Sequence, residues 1–433
     1  MGRTYLSRAR SARRGTTSAV LLSGLALGAA CSTTSTPPPA IGDTNGSDAS
    51  DLPPEPDATT GTTTNEGSTG EPDEAGTATD AGIVTCTANL TDDPKNCGYC
   101  GHSCQSTAAG ACVAGLCAAT QIAQATNGAI QGIAVDDTHV FWTSPSGGIF
   151  DKALGGNAMS GITPQTPNPY AIAVSATNLF WTDISTPATV HEAVNPENAS
   201  GSTFVWSQAP DGGGGIAEPV AIAIDIPPSP DGGGGTGNNV YWLDAALGTV
   251  NQASQNGGNF MVLAHNQVQP QAIAVDLYNV YWVNLGSGGI GTVNAVAIGG
   301  NSVVTLATGQ SNPKGIAVDP SFTHIYWTSG VDAHAQPSIA SVLSLAIGAP
   351  SGTPPTVLAS GYGSATGIAV DSQYVYWTNY TDGTVVKTRT TGEGAPYTLA
   401  SGASCNNPAA IVVRDNTVYW ANQGNGTIYK VPN

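Results

Sequence analysis

The chain has 433 residues, including 55 Gly and 29 Pro, and is 40% apolar but only 10% charged. This composition supplies apolar side chains for a large core, while scarce Lys and Glu disfavour helices and indicate a β-rich extracytoplasmic protein. Beyond residue 31, 30 Asp and Glu face seven Lys and Arg, a formal charge of −23. We therefore expect no nucleic-acid partner, because a phosphate backbone requires clustered basic side chains.

The first 30 residues are typical of an export signal. Five arginines precede residue 15, the apolar stretch 19–27 follows, and Gly28-Ala-Ala30 leads to Cys31. The apolar stretch is too short to span a bilayer. The segment resembles a bacterial lipoprotein signal, which implies that Cys31 is lipidated and becomes the mature N-terminus. Gly28 stands where that motif usually has Leu, so ordinary cleavage with a free Cys31 remains the alternative.

The export signal predicts where the protein is located, and the segment after it is predicted to be a tether. We expect an exported outer-membrane or cell-surface lipoprotein attached to the membrane through Cys31 only, or a secreted protein in the alternative. Residues 31–84 are rich in Ser, Thr, Pro and Gly and carry ten acids and no base. Such a stretch buries too little apolar surface to fold, and its charge keeps it extended. It is predicted to be a disordered acidic tether.

A cysteine-rich segment at 85–117 follows the tether. Its six cysteines are Cys86, Cys97, Cys100, Cys104, Cys112 and Cys117. The Cys97-x2-Cys100 spacing also suits zinc, but an oxidising compartment and an even cysteine count favour three disulfides whose pairing stays open. The stretch resembles the small Stig1-like cysteine module, which implies an extracytoplasmic interaction module without catalysis. Cys405 lies far downstream and has no evident partner.

The remainder, 118–433, contains seven copies of one phrase, seen best in Gly367-Ile-Ala-Val-Asp371 followed by Tyr376-Trp-Thr-Asn379. The repeat tryptophans are Trp142, Trp181, Trp242, Trp282, Trp327, Trp377 and Trp420. The small leading residues are Gly132, Ala171, Ala221, Ala272, Gly315, Gly367 and Ala410. Successive tryptophans are 39 to 61 residues apart, which is near the length of a four-stranded propeller blade.

Each copy predicts four antiparallel strands, and the seven copies predict an all-β, seven-bladed β-propeller. An apolar run ending in Asp gives the first strand, the aromatic phrase gives the second, and two further strands follow a Gly-Thr pair and a polar turn. The first strand begins with Gly or Ala, which we attribute to crowding where strands converge on a central axis. The chain ends on a third strand, so Thr120–Ala123 is predicted to supply the missing fourth strand and close the ring.

The aromatic tetrads resemble the YWTD repeat of the LDL-receptor class B family. They are Phe141-Trp-Thr-Ser144, Phe180-Trp-Thr-Asp183, Tyr241-Trp-Leu-Asp244, Tyr281-Trp-Val-Asn284, Tyr326-Trp-Thr-Ser329, Tyr376-Trp-Thr-Asn379 and Tyr419-Trp-Ala-Asn422. Two departures are visible: that family usually forms six blades, and only two tetrads here end in Asp. The resemblance implies a protein-binding platform without catalytic residues.

No pattern of catalytic or metal-binding residues recurs among the copies, so we predict no enzyme, no metal and no cofactor. The acids after the first strand are interpreted as acceptors in the following turn, and they are Asp136, Asp225, Asp276, Asp319 and Asp371. His139 and His324 share a position with Asn in other copies, which indicates a turn. The alternative is a propeller-type metal-dependent hydrolase or lyase with its site in the central channel.

The candidate ligand site lies at the channel mouth, where the loops into each first strand and the loops between second and third strands share a face. Five of the loops into the first strand carry Pro two places before the small residue, and the residue between varies. The candidate positions are Gln131, Tyr170, Val220, Gln271, Lys314, Thr366 and Ala409. The predicted function is non-covalent recognition of a protein or glycan partner at the cell surface. An architectural protein without a specific ligand is a further alternative.

Overall fold

The computed structural model describes part of the chain. The described residues are 112–113, 116–125, 128–145, 147–163, 166–175, 177–194, 203–206, 215–225, 239–255, 257–330 and 340–433. The predicted signal, the tether and most of the cysteine-rich segment lie outside these ranges. So do Cys31, Cys86, Cys97, Cys100 and Cys104.

Seven four-stranded antiparallel sheets form the blades, which confirms the predicted all-β, seven-bladed propeller. Ahead of them come β1 (Cys112–Val113), β2 (Leu116–Cys117) and β3 (Thr120–Gln124). Blade 1 holds β4 (Ile133–Val135), β5 (His139–Ser144), β6 (Gly148–Ala153) and β7 (Met159–Thr163). Blade 2 holds β8 (Pro169–Val174), β9 (Asn178–Asp183), β10 (Thr189–Val194) and β11 (Thr203–Trp206). Blade 3 holds β12 (Pro219–Ile224), β13 (Asn239–Asp244), β14 (Thr249–Ser254) and β15 (Met261–Ala264).

The other four blades repeat the same order. Blade 4 holds β16 (Pro270–Val275), β17 (Asn279–Asn284), β18 (Ile290–Ala297) and β19 (Val304–Ser311). Blade 5 holds β20 (Pro313–Val318), β21 (His324–Ser329), β22 (Ala340–Ala346) and β23 (Thr356–Tyr362). Blade 6 holds β24 (Ala365–Val370), β25 (Tyr374–Asn379), β26 (Thr384–Arg389) and β27 (Tyr397–Ser401). Blade 7 holds β28 (Pro408–Arg414), β29 (Thr417–Asn422) and β30 (Thr427–Pro432), with β3 as its fourth strand.

The blades close into a ring through their innermost strands. Each innermost strand contacts that of the next blade, and β28 of blade 7 contacts β4 of blade 1. The outer edge of blade 7 is completed by β3, whose Thr120 and Gln124 pair with Lys430 and Thr427. The predicted closure by the segment near Thr120 is therefore confirmed. The ends of the propeller are fastened to each other within one sheet.

The core consists of seven clusters that lie between neighbouring blades. Each cluster joins the tryptophan of one blade to the first tetrad aromatic of the blade before it, as Trp377 joins Tyr326 and Trp420 joins Tyr376. The cluster of Trp142 with Tyr419 applies the same contact across the closure. All seven repeat tryptophans are at most 1% exposed. Truncating one to alanine would cost about 3–5 kcal/mol of stability, which explains why the phrase recurs so regularly.

In the three blades whose phrase begins with glycine, the neighbouring blade leaves no room for a side chain at that position. A Cβ at Gly132 would lie 2.9 Å from the carbonyl oxygen of Tyr170, and one at Gly315 would lie 2.7 Å from that of Thr366. Both oxygens belong to the innermost strand of the next blade. The crowding that was attributed to the central axis thus arises at the contact between adjacent innermost strands.

The hairpin of β1 and β2 lies against the rim of the propeller. Cys112 and Cys117 are both disulfide-bonded, and β2 contacts β27 of blade 6. The rest of the predicted cysteine framework lies outside the described residues and stays a prediction. Cys405 is a free, buried cysteine that belongs to the same core cluster as Cys112 and Cys117. Burial raises the pKa of its thiol to about 12. Within the described ranges, no helix has the length and apolar character needed to cross a membrane.

Candidate functional site

The seven candidate residues occupy equivalent places at the start of the innermost strands. Six are the second residue of their strand, and Gln131 stands two residues before β4. The five prolines predicted to lie in the preceding loops are the first residues of the strands themselves. A proline fits there because the first residue of an edge strand can lack an N–H donor.

A bulge marks the candidate position in six of the blades. In blade 3, Pro219 pairs with Asp244 and Ala221 pairs with Leu243, so Val220 is the additional residue. In blade 4, Gln271 is the additional residue in the same way. In the other four blades, the shift lies between the first and fourth strand residues, at Pro169/Ile172, Pro313/Ile316, Ala365/Ile368 and Pro408/Ile411. A bulge redirects the side chain of the extra residue and interrupts the pairing. In these six blades, the shift therefore lies beside a residue whose identity changes from blade to blade.

Threonines of the tetrads hold the bulged backbone in place from the preceding blade. Thr143 Oγ1 accepts a hydrogen bond from the Gly132 N–H at 2.8 Å and donates one to the Tyr170 carbonyl at 2.6 Å. Thr328 and Thr378 make the equivalent pairs of bonds, ending on the carbonyls of the next candidate residues in the ring. Neighbouring candidate positions are thereby brought together, and their main chain is fixed while the side chains remain available.

The loops around the mouth confirm that the two predicted loop sets share one face. The Tyr380 N–H, after the second strand of blade 6, donates to the Ser364 carbonyl at 2.8 Å, just before the first strand. Across the closure, Gln423 Nε2 donates to Gln131 Oε1 at 3.0 Å. The mouth is therefore surrounded by paired loops rather than by independent ones.

The candidate side chains differ in what they offer to a ligand. Tyr170 is half-buried, and burial followed by the nearby Glu218 carboxylate raises the pKa of its phenol, which keeps it a hydrogen-bond donor. Gln271 and Lys314 are half-buried and polar, and Thr366 donates to the Ser364 carbonyl at 3.2 Å.

Two candidate positions have little polar chemistry. Val220 is half-buried and apolar, whereas Ala409 is only 6% exposed. Ala409 therefore has almost no accessible surface to offer a ligand. The usable mouth is consequently asymmetric, with polar groups on blades 1, 2, 4, 5 and 6.

The repeated acids act as turn acceptors, as predicted. Asp276 Oδ1 accepts the N–H groups of Tyr278 and Asn279 at 2.7 and 2.6 Å. The sequence did not reveal that the other oxygen accepts the hydroxyl of the tetrad tyrosine, at 2.7 Å from Tyr281 to Asp276 Oδ2. The same bond joins Tyr376 to Asp371 at 2.6 Å. Among the described residues, no group of three or more His, Cys, Asp or Glu could hold a metal ion.

One further set of positions escaped the sequence reading. The third-strand residue opposite the first tetrad aromatic is ionisable and buried in three blades. In blade 1, Asp151 pairs with Phe141 and is 6% exposed. Glu192 pairs with Phe180 and is 1% exposed, and Lys387 pairs with Tyr376 and is 2% exposed. What these residues share is that each is the cross-strand partner of a tetrad aromatic. It becomes visible only once the register of the third strand is known.

The comparisons with known proteins agree with the fold. The profile of the Low-density lipoprotein receptor repeat class B matches residues 238–277, one repeat unit from the tetrad of blade 3 to the innermost strand of blade 4. No curated protein matches the chain.

Among solved structures, virginiamycin B lyase from Staphylococcus aureus has a TM-score of 0.51 at 12% identity, covering 73% of this chain and 99% of the lyase. A catalytically inactive form of that lyase with quinupristin gives 0.52 at 12%, with the same coverage. A nidogen–laminin complex gives 0.41 at 19%, covering 56% of this chain and 84% of that one. At these identities, the likeness to the lyase concerns the fold alone.

Proposed function

We propose that the protein is an exported, lipid-anchored cell-envelope binding protein that recognises a protein or glycan partner at the mouth of its propeller channel. The observation that supports the proposal is the register shift near the start of the first strand in six blades, beside a residue that differs from blade to blade. A surface built only for architecture has no need of a fixed main chain with variable side chains at a single level of the ring.

The chemistry of the mouth supports recognition of a polar ligand. Gln131, Gln271 and Thr366 supply amide and hydroxyl groups, Tyr170 supplies an aromatic face with a donor, and Lys314 supplies a cation. Such sites combine aromatic surface with a few convergent polar groups, and they suit a glycan or a narrow protein segment. The class B repeat at 238–277 is consistent with this assignment, since that resemblance implies a binding platform.

The test of recognition is an array of purified cell-envelope glycans and proteins probed with the full chain. Tyr170→Ala with Lys314→Ala is expected to reduce binding to the strongest wild-type partner at least tenfold. Tyr278→Ala is the matched control, because it removes a tyrosine that is 63% exposed in a turn on the opposite face. Binding lost equally in both variants, or in neither, would overturn the assignment to the mouth.

Attachment to the envelope is tested separately. Cells that express the wild-type chain are labelled with a radioactive fatty acid, and the label is expected on the wild-type protein and not on the Cys31→Ser variant. Label retained by that variant, or absent from both, would contradict anchoring through Cys31.

The competing enzyme assignment is a metal-dependent hydrolase or lyase acting in the central channel. It is decided by elemental analysis of the purified full chain. A stoichiometric transition metal would favour the enzyme, whereas the binding proposal predicts none above background.

A further inference from the structure

A second cavity lies on blade 6, at the opposite end of the strands from the channel mouth. Its volume is about 210 Å³, and its walls include Tyr374 of β25, Lys387 and Arg389 of β26, Tyr397 of β27 and Glu393 of the loop between these last strands. We call this cavity the blade 6 pocket. It is smaller than the roughly 300–1,000 Å³ typical of sites for drug-sized molecules, so it suits a single small ring.

The register of blade 6 places the aromatic and basic side chains on one face of the sheet. Tyr374 pairs with Arg389, and Lys387 pairs with both Tyr376 and Tyr397. Lys387 Nζ lies 4.3 Å from the centre of the Tyr374 ring, and Arg389 Cζ lies 5.8 Å from the same centre. Two cations thus meet at one tyrosine ring, with a second tyrosine on the neighbouring strand.

This concentration of positive charge is unusual for the propeller. Residues 118–433 contain only six Lys and Arg against 18 Asp and Glu, and two of the six line this single pocket. Lys387 is 2% exposed and forms part of the pocket floor, while Arg389 and Glu393 are exposed at the rim. A buried ammonium group beside an exposed guanidinium is an arrangement that suits the binding of an anion.

We propose that the blade 6 pocket binds a small acidic sugar, with the carboxylate of a uronic acid held by Lys387 and Arg389 and its ring against Tyr374 and Tyr397. An Arg guanidinium presents two parallel donors that match a carboxylate, and Lys supplies a compact charge beneath it. Glu393 selects among anions. Its carboxylate accepts hydrogen bonds from the ring hydroxyls of a sugar, which a simple anion without hydroxyl groups does not have.

The site is independent of the channel mouth, so its test can fail while the proposed function stands. Binding of galacturonic acid, galactose and galactose 6-phosphate to the full chain is measured by isothermal titration calorimetry. We expect galacturonic acid to bind at least tenfold more tightly than galactose, because only the acid has a carboxylate for Lys387 and Arg389. Equal affinity for galactose, tighter binding of galactose 6-phosphate, or no binding of galacturonic acid would overturn the proposal.

Substitutions locate the binding. Arg389→Met changes an exposed side chain and is expected to preserve the fold. It should weaken the binding of galacturonic acid at least fivefold. Lys387→Met is expected to reduce the affinity for galacturonic acid further. Lys430→Met is the matched control, since Lys430 pairs with Tyr419 as Lys387 pairs with Tyr376 in the preceding blade. Unchanged affinity in Arg389→Met, or an equal loss in Lys430→Met, would assign the basic residues to the structure of the blades rather than to a ligand.

Discussion

Blade 2 and blade 6 have the same four-stranded frame but opposite charges at one buried position. Opposite the first tetrad aromatic, blade 2 has Glu192 facing Phe180, and blade 6 has Lys387 facing Tyr376. Asn178 Nδ2 donates to Glu192 Oε1 at 2.6 Å, and burial raises the pKa of Glu192 to about 7. Burial lowers the pKa of Lys387 to about 8, although Asp371 opposes that shift.

The difference between the blades shows which features the repeat fixes and which it leaves open. Tryptophan packing and the threonine bridges recur because every blade must join its neighbour. The buried third-strand position accepts either a carboxyl or an ammonium group, and the carboxyl of Glu192 has one hydrogen bond, from Asn178. Blade 6 surrounds its cation with tyrosine rings and thereby forms a pocket, whereas blade 2 holds its acid beside the Asn178 amide.

The largest expected effect concerns the threonine bridges. Thr378→Val in blade 6 leaves the Gly367 N–H and the Ala409 carbonyl without their partner, and we expect it to lower the free energy of unfolding by about 3–4 kcal/mol. Among the described residues, Thr182 of blade 2 bonds only the Ala171 N–H, so Thr182→Val should cost about half as much. Guanidinium unfolding measures both, and a larger cost for Thr182→Val would contradict the inter-blade role.

The buried acid of blade 2 gives a pH dependence. Its folded-state pKa is raised from 4.5 to about 7, so its contribution to stability is complete below about pH 4.5 and is lost as the pH rises through 7. Relative to Glu192→Gln, the wild-type free energy of unfolding should fall by up to about 3 kcal/mol between pH 4 and pH 8. Parallel profiles for the two proteins would show that Glu192 ionises normally in the folded chain.

The buried cation of blade 6 should give the opposite slope at higher pH. Its folded-state pKa is lowered from 10.5 to about 8, so the folded chain binds fewer protons than the unfolded chain between these values. Relative to Lys387→Met, the wild-type free energy of unfolding should rise by roughly 2–3 kcal/mol from pH 8 to pH 10.5. A falling or flat difference in denaturant unfolding would contradict the burial of the amine.

The smallest effect separates the tryptophans of the two blades. Trp377 Nε1 donates to Asn379 Oδ1 at 3.1 Å, whereas Trp181 Nε1 has no hydrogen-bond partner among the described residues. Trp377→Phe removes ring volume and a hydrogen bond, but Trp181→Phe removes ring volume only. We expect the former to cost about 1 kcal/mol more in thermal unfolding. Equal costs would show that the indole bond adds nothing to the packing.

The sequence predicted the frame of the molecule because that frame depends on residues that must recur. The recurring tryptophans, down to Trp420, predicted the number of blades because each packs against the neighbouring blade. The strand near Thr120 predicted the closure because the edge strand at the end of the chain needs a partner. The candidate positions remain predictions of a ligand surface, and the burial of Ala409 was missed because side-chain direction depends on the bulge. Lys387 was overlooked for a related reason. Its partners Tyr376 and Tyr397 lie on neighbouring strands, and the pairing register that brings them together cannot be read from the sequence.

The most direct test of recognition at the channel mouth is hydrogen–deuterium exchange of the full chain, with and without its strongest partner from the array. The account predicts slower exchange confined to the strand starts at 169–171, 270–272 and 313–315 and to the loops beside them. Protection confined to the outer strands of the blades, with unchanged exchange at these starts, would contradict it.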